Sequence, residues 1–416
     1  MKVLHLSTSE LSGGAAIAAS RLNNAMNNCG IKIQSKLRVI YKQTNNPNVI
    51  GTTSSFAKFI NKVKCKISLN IQKLQKSENK VLHSISFFSS SILDEINNSD
   101  ADIINLHWIQ GEMLSIKDIG LIRKPLVWTL HDSWAFSGSE HYPHDLSDRR
   151  YIDGYLKNNR PPKSTGIDID RIIWLRKRKL WKNKISIICP SEWLMSCAKN
   201  SSLFKDKNVI KIPNLIPLDT FNPQSQRVSR EVFGFSEKSK IILFGALGGT
   251  QDFRKGWDLL EIALKELVIK IKNIEVVIFG QDKPNTIPKI NCPLKYLGKI
   301  KDNSELAFLY SSADVMLVPS RIESFCQVAS EAQSCGLPVV SFNTTGLKDV
   351  VSHKITGYLC EAFNPDSLVD GVCWVLKNKE RTNFIRKQAS KRAKSLWDEK
   401  KIVRQHFNFY KTLLSK

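Results

Sequence analysis

ADVMLVPSRIESFCQVASEAQSCGLPVVSF (residues 313–342) reads as a strand, a loop, a helix and a second strand. ADVMLVPS (313–320) and LPVVSF (337–342) are continuous apolar runs rich in branched side chains, the composition of strands buried on both faces. Between them RIES (321–324) is a polar exit loop, and FCQVASEAQSCG (325–336) has the length and composition of a short helix. Parallel neighbours in one sheet need such a crossover, so the stretch predicts a parallel sheet covered by helices.

The same punctuation recurs on both sides. KVLHLS (2–7), ADIINLHW (101–108), PLVWTLH (125–131) and ISIICPS (185–191) form one series of strands. KIILFG (240–245) and IEVVIFG (274–280) join the opening pair in a second. Helical pattern lies between, as in AAIAASRLNNAM (15–26) and ELAFLYSSA (305–313). At 416 residues the chain exceeds the roughly 250–300 at which single cores stop growing. KIPNLIPLDTFNPQSQ (211–226), with three prolines, interrupts the periodicity and predicts a linker. The expected architecture is α/β: a doubly wound domain over 1–210, the linker, and a second such domain over 227–395. Residues 396–416 are expected to form a C-terminal helix packing back on the first domain. Ligands of such sheets collect at the carboxyl ends of the strands, which predicts a site in a cleft between the two.

Composition narrows the functional classes. MKVLHLSTSE has an apolar run too short for a secretory leader, and no stretch reaches the roughly 18 apolar residues of a membrane span. A cytoplasmic protein is predicted. The nine cysteines are scattered, with no CxxC pair and no zinc-ligand spacing, so buried thiols are expected rather than disulfides or a structural metal. There are 62 Lys+Arg against 38 Asp+Glu, a formal charge of +24. Residues 1–200 carry 29 basic and 16 acidic side chains and the remainder 33 and 22, so the charge is not a tail on a neutral enzyme. Nucleic acid, anionic lipid and phosphorylated ligands all suit such a field.

Four stretches carry candidate chemistry. LSTSELSGGAAIAAS (6–20) is a strand, a loop with Gly13 and Gly14, and a helix start, suited to holding an anion; it reads equally as a bare turn. WTLHDSWAFSGSEHY (128–142) sets His131 and Asp132 directly after a strand, on its ligand edge; a histidine bound to a neighbouring carbonyl is the plainer alternative. FGALGGTQDFRKGWDLL (244–260) runs through Gly248-Gly249 to Arg254-Lys255-Gly256, a basic pair suited to a diphosphate or a solvated turn. In the opening stretch Glu323 precedes the helix and Glu331 lies about two turns into it. Carboxylates accept from vicinal diols, so the two could hold a sugar and a ribose; Glu331 could as well pair with a basic neighbour. Separately, FAKFINKVKCKISLNIQKL (56–74) places apolar side chains on one stripe with Lys58, Lys62, Lys66 and Lys73 beside or behind it. It predicts a cationic amphipathic helix, either on an anionic bilayer or packed on its own sheet.

In this order these residues resemble the family 4, GT-B-fold retaining glycosyltransferases, particularly the bacterial branch that builds capsular, colanic-acid-like or O-antigen polysaccharides. The likeness covers nearly the whole chain. Its most specific part is ESFCQVASEAQSCGLPVV, similar to the family's signature of two glutamates separated by seven residues. HLSTSELSGGAAIAASRL, WTLHDSWAFSG, CPSEWL, IPNLIPLDTFNP and LAFLYSSADVMLVPSRIES support it. The resemblance implies two Rossmann-like domains facing across a cleft. It implies that Glu331 binds the nucleotide ribose and that Glu323 binds the transferred sugar beside the backbone of Phe325 and Cys326. Lys255 would neutralise the diphosphate, His131 would line the sugar pocket, and the Gly13-Gly14 loop would close near phosphates and acceptor. The implied donor is a nucleotide-diphosphate sugar and the acceptor a glycan or lipid-linked glycan, with no cofactor, no catalytic metal and no nucleic acid. The protein would work in the cytoplasm, on or near the inner face of the membrane. Three positions depart from the pattern: Ala246 where an Arg is usual, Cys326 where a Gly is usual, and no Gly after Asn214. Arg254 could then supply the missing charge, and Cys326 would narrow the sugar site. Epimerases and phosphorylases share the architecture, and a basic nucleic-acid-binding protein shares the charge.

Overall fold

Most of the apolar runs become central strands of two parallel sheets. The computed structural model describes residues 1–245, 248 and 251–415; Ala246 and Gly249 lie outside the described residues. Contacts divide the chain into a first unit, Met1–Pro213 with Ile402–Lys416, and a second, Asn214–Lys401.

The first unit's main sheet is built from β1 (Lys2–Ser9), β2 (Gln34–Tyr41), β3 (Val49–Gly51), β4 (Ile103–Leu106), β5 (Leu126–Thr129), β6 (Ile185–Cys189) and β7 (Val209–Lys211). Its order is β3-β2-β1-β4-β5-β6-β7, parallel throughout. The second unit has β8 (Lys240–Gly245), β9 (Ile274–Phe279), β10 (Leu294–Tyr296), β11 (Val315–Val318), β12 (Val339–Phe342) and β13 (Gly357–Cys360). Its order is β10-β9-β8-β11-β12-β13, again parallel. Both are Rossmann-like: the chain winds outward from the first strand, then returns to its other side. Loops leaving the strands at that reversal diverge and open a crevice, between β1 and β4 in one sheet and between β8 and β11 in the other.

The continuous apolar strands are explained by their two faces. In the second unit Ile242, Val276, Leu317 and Val340 pack with the helices Trp257–Lys270 and Pro365–Leu376. Alternate residues Ile241, Leu243, Val277, Met316 and Val339 pack with Asn303–Ser312 and Gln327–Ser334. Ile216 and Phe221, inside the stretch expected to be a linker, are fully buried in this second core. The prolines break periodicity there without making the intervening apolar side chains solvent-facing.

The amphipathic segment is helical over Ser55–Gln72, but its faces are the reverse of a packed helix. Its polar side holds it to the unit: Asn61 donates to Gly111 O at 3.1 Å, Lys64 to Ser89 O at 2.7 Å and Ser68 to Glu112 Oε1 at 2.7 Å. Most of the apolar stripe is turned outward, with Phe56 72%, Phe59 60% and Ile67 43% exposed, while Ile71 packs against the unit's core. Among the described residues no helix is long and apolar enough to cross a membrane.

Candidate functional site

In the second unit, the loops at the strand reversal bring together two of the residues singled out above. Lys255 Nζ donates to Glu323 Oε1 at 2.6 Å across the gap between the exits of β8 and β11. The two side chains retain only 21% and 11% exposure. Burial works against the ammonium charge, but Glu323 outweighs it and holds the Lys255 pKa above the usual lysine value. The result is a cation and a carboxylate fixed side by side on the ligand edge of the sheet.

Several contacts hold each partner in place. Asp252 caps the turn Phe253–Lys255 by accepting from the Arg254 N–H at 3.0 Å. Arg321, at the exit of β11, binds that turn from the other side. Its N–H donates to Arg254 O at 2.7 Å, and its guanidinium reaches Phe253 O at 2.8 Å and forks onto Asp258 at 2.8 and 2.7 Å. On the Glu323 side, the main-chain N–H donates to Thr345 Oγ1 at 3.1 Å, and Gly346 N–H donates to Glu323 O at 2.8 Å. A Cβ on Gly346 would stand 2.4 Å from Ser324 O and 2.7 Å from Glu323 O, so this approach requires glycine.

The helix Gln327–Ser334 follows directly. Glu331, 4% exposed, accepts from Tyr310 OH at 2.9 Å. It sits inside the unit with the Tyr310 phenol against it. Phe325 is a core residue, 3% exposed and edge-on to Trp397 at 6.0 Å, so only its backbone is left for a ligand. Cys326 is buried in the same core and adopts φ 77°, ψ 82°, a left-handed conformation suited to glycine. A side chain held there costs on the order of 1–3 kcal/mol. Burial pushes its thiol well up, and Glu323 raises it further, so it stays an uncharged SH. Arg254 gives part of its guanidinium to Asp252 Oδ2 at 2.6 Å, a partner two residues away that its motif does not announce.

The remaining candidates lie in the first unit. Gly13, with φ 94°, is the N-cap of the helix Gly14–Asn28, and a Cβ on either glycine would meet open space. Asp132 is committed within the protein: it accepts from His141 Nδ1 at 2.6 Å, Trp108 Nε1 at 3.1 Å and Trp134 N–H at 3.0 Å. Burial raises its pKa, but His141 and the hydrogen bonds prevail and hold it below the usual carboxylate range. It therefore anchors the loop after β5. Lys177 supports that loop from beneath, donating to Ser137 O at 3.1 Å and Gly138 O at 2.7 Å. His131 is partly exposed, and its Nε2 lies 3.0 Å from His107 Nδ1. His107 in turn contacts His5, at 2.9 Å. The sequence reading passed over both; their signal was a histidine inside each apolar strand run, KVLHLS and ADIINLHW.

Residues 225–392 match the family described as "Glycosyl transferases group 1", a stretch that covers most of the second unit. D-inositol 3-phosphate glycosyltransferase of Xylanimonas cellulosilytica is 32% identical over 208 residues, 45% of this chain and 48% of that protein. Lipopolysaccharide 1,2-N-acetylglucosaminetransferase of Salmonella typhimurium is 28% identical over 223 residues, 50% of this chain and 57% of that one. The chain spans about half the length of the curated relatives it matches. Anabaena Alr3699/HepE, solved in complex with UDP-glucose, superposes over 99% of this chain and 100% of its own, with a TM-score of 0.63 at 15% identity. The pair of parallel-sheet Rossmann-like units is the GT-B architecture.

Proposed function

We propose that this protein is a retaining, metal-independent glycosyltransferase that moves a sugar from a nucleotide-diphosphate donor to a hydroxyl of a glycan or lipid-linked glycan in bacterial surface polysaccharide synthesis. The observation that carries the reading is the Lys255–Glu323 pair at the strand reversal of the second sheet, with Glu331 eight residues further on. The family match over 225–392 and the Salmonella relative support it. In this reading Lys255 turns to the diphosphate when donor binds, and Glu323 accepts hydrogen bonds from sugar hydroxyls. Glu331, oriented by Tyr310, accepts from the ribose. The bond from the sugar's anomeric carbon to the diphosphate breaks with its electron pair going to the phosphate oxygen. The acceptor oxygen bonds to the same carbon from the same face, and its proton passes to the departing phosphate. Lys255 and nearby amides lower the barrier by meeting the charge where it grows.

A calorimetric screen of nucleotide-diphosphate sugars tests the reading; binding of at least one, lost on Glu331→Ala, is the expected result. An absence of binding across the panel removes the enzymatic assignment. Product formed without acceptor would favour an epimerase instead. Salt-sensitive retention on DNA that a nucleoside diphosphate does not displace would favour nucleic-acid binding.

The reading extends to where the acceptor is met. Helix Ser55–Gln72 shows Phe56, Phe59 and Ile67 to solvent, and Lys58, Lys62, Lys66 and Lys73 share the segment. An exposed apolar stripe beside lysines fits the headgroup boundary of an anionic bilayer. The protein is expected to float with vesicles containing anionic lipid and not with neutral ones. Phe56→Ser with Phe59→Ser should abolish flotation, and the four Lys→Gln changes should remove its dependence on anionic lipid. Equal flotation of these variants would assign the stripe to another role.

A further inference from the structure

Three imidazoles stand in a row near the carboxyl edge of the first unit's sheet. His5 Nδ1 lies 2.9 Å from His107 Nε2, and His107 Nδ1 lies 3.0 Å from His131 Nε2. Each contact needs one proton between two nitrogens, and heavy-atom positions alone allow the row to be protonated in either direction. The buried end decides. His5 Nε2 stands 3.4 Å from Met26 Sδ, on the fully buried inner face of helix Gly14–Asn28. A thioether can accept a hydrogen bond but has none to give, so His5 carries its proton on Nε2. The opposite choice sets two lone pairs against each other in a dry interior.

A neutral imidazole has one donor and one acceptor, so the choice propagates. With Nε2 protonated, His5 accepts at Nδ1; His107 therefore donates from Nε2 and accepts at Nδ1. His131 must then donate from Nε2, and its Nδ1 is left as a lone pair with no partner among the described residues. Neutrality of the row is secured by burial, which lowers His5 to about 3, His131 to about 4 and His107 well below the usual histidine value.

We propose that Met26, acting through His5 and His107, fixes the tautomer of His131, so that this partly exposed ring offers a bare Nδ1 acceptor to a ligand hydroxyl. That the hydroxyl belongs to a sugar rests on the function proposed above; the tautomer does not. Met26, His5 and His107 are positioning residues, and only His131 would meet the ligand. The acceptor is selective: a hydroxyl in that position is held, whereas a ligand carbonyl or phosphate oxygen is repelled.

The experiment is a long-range ¹H–¹⁵N correlation spectrum of the full chain labelled at histidine, recorded without donor or acceptor near neutral pH. The expected wild-type pattern has Nε2–H and unprotonated Nδ1 on His5, His107 and His131 alike. Met26→Leu keeps the volume and removes the acceptor, so the ¹⁵N shifts of His131 should move toward the average of two tautomers. A wild-type spectrum with Nδ1–H on His131 overturns the proposal even if Met26→Leu fails to fold. So does a Met26→Leu spectrum indistinguishable from wild type. Because no substrate is present, failure of the glycosyltransferase reading and failure of this one show up in different measurements.

Discussion

Lys255→Met lowers turnover by about 10²–10³-fold, with a much smaller change in donor KM. The expectation follows from where the charge is needed. Before reaction the donor's diphosphate already carries charge that several groups can share; as the sugar bond breaks, the new charge develops on one oxygen. A cation placed for that oxygen stabilises the transition state more than the bound donor, so its loss falls on kcat. Stability has to be separated from chemistry, because Lys255 and Glu323 are 21% and 11% exposed and removing one leaves the other short of its counter-charge. Breaking a well-buried pair in this way costs about 3–5 kcal/mol, and a pair with this residual exposure should sit at or below the lower end. Glu323→Gln in the Lys255→Met background removes the stranded charge. The double variant should regain much of the lost thermal midpoint while turnover stays down. If turnover of Lys255→Met stays within about threefold of wild type, a difference worth less than 1 kcal/mol, the leaving-group role is wrong.

The parts of this site that were legible in the sequence share a property: their geometry is set locally. Glu323 had to lie at a strand exit because ADVMLVPS is too apolar to be anything but a buried strand, and Glu331 had to lie on the following helix. The central strands β1, β4, β5, β6, β8, β9, β11 and β12 were readable for the same reason. Strand β2, QSKLRVIY, was not: Gln34, Lys36 and Arg38 interrupt its apolar run. Arg38 is nonetheless 7% exposed, because Glu95 accepts from its Nε at 2.8 and 3.0 Å. Much of what stayed hidden depends on partners distant in the chain. Nothing in its own motif announced Trp108 as a donor to Asp132, and the histidine row starts from a contact between residues about a hundred positions apart. Helix Ser55–Gln72 shows a different limit. Periodicity located its apolar stripe, but a stripe does not say whether protein or solvent lies against it; three side-chain contacts from Asn61, Lys64 and Ser68 decide that.

Gly256→Ala should be among the most damaging single-carbon additions in the second unit, lowering its stability by about 2–5 kcal/mol. Two costs combine. Gly256 has φ 71°, where any side chain pays about 1–2 kcal/mol. The added Cβ would also stand 2.0 Å from Pro319 O and 2.9 Å from Pro319 C, far inside contact distance. Neither atom is a flexible side-chain tip; both belong to the backbone just past β11, so the turn or the strand exit must move. That displacement acts on the site directly, since Lys255 precedes the glycine and Arg321 N–H reaches Arg254 O from two residues beyond Pro319. A shift near 1 Å between Lys255 and Glu323 is enough to cost about 10²-fold in turnover. Gly234→Ala is the control: its φ is 63° and nothing lies within 4 Å of its would-be Cβ, so it carries the backbone cost without the collision. Thermal midpoints and turnover of the two variants should therefore separate, with Gly256→Ala losing both and Gly234→Ala losing a few degrees and no activity. Equal losses in the two would mean that the 2.0 Å approach is relieved by a small local adjustment and that the Lys255 turn is not held rigidly against the strand exit.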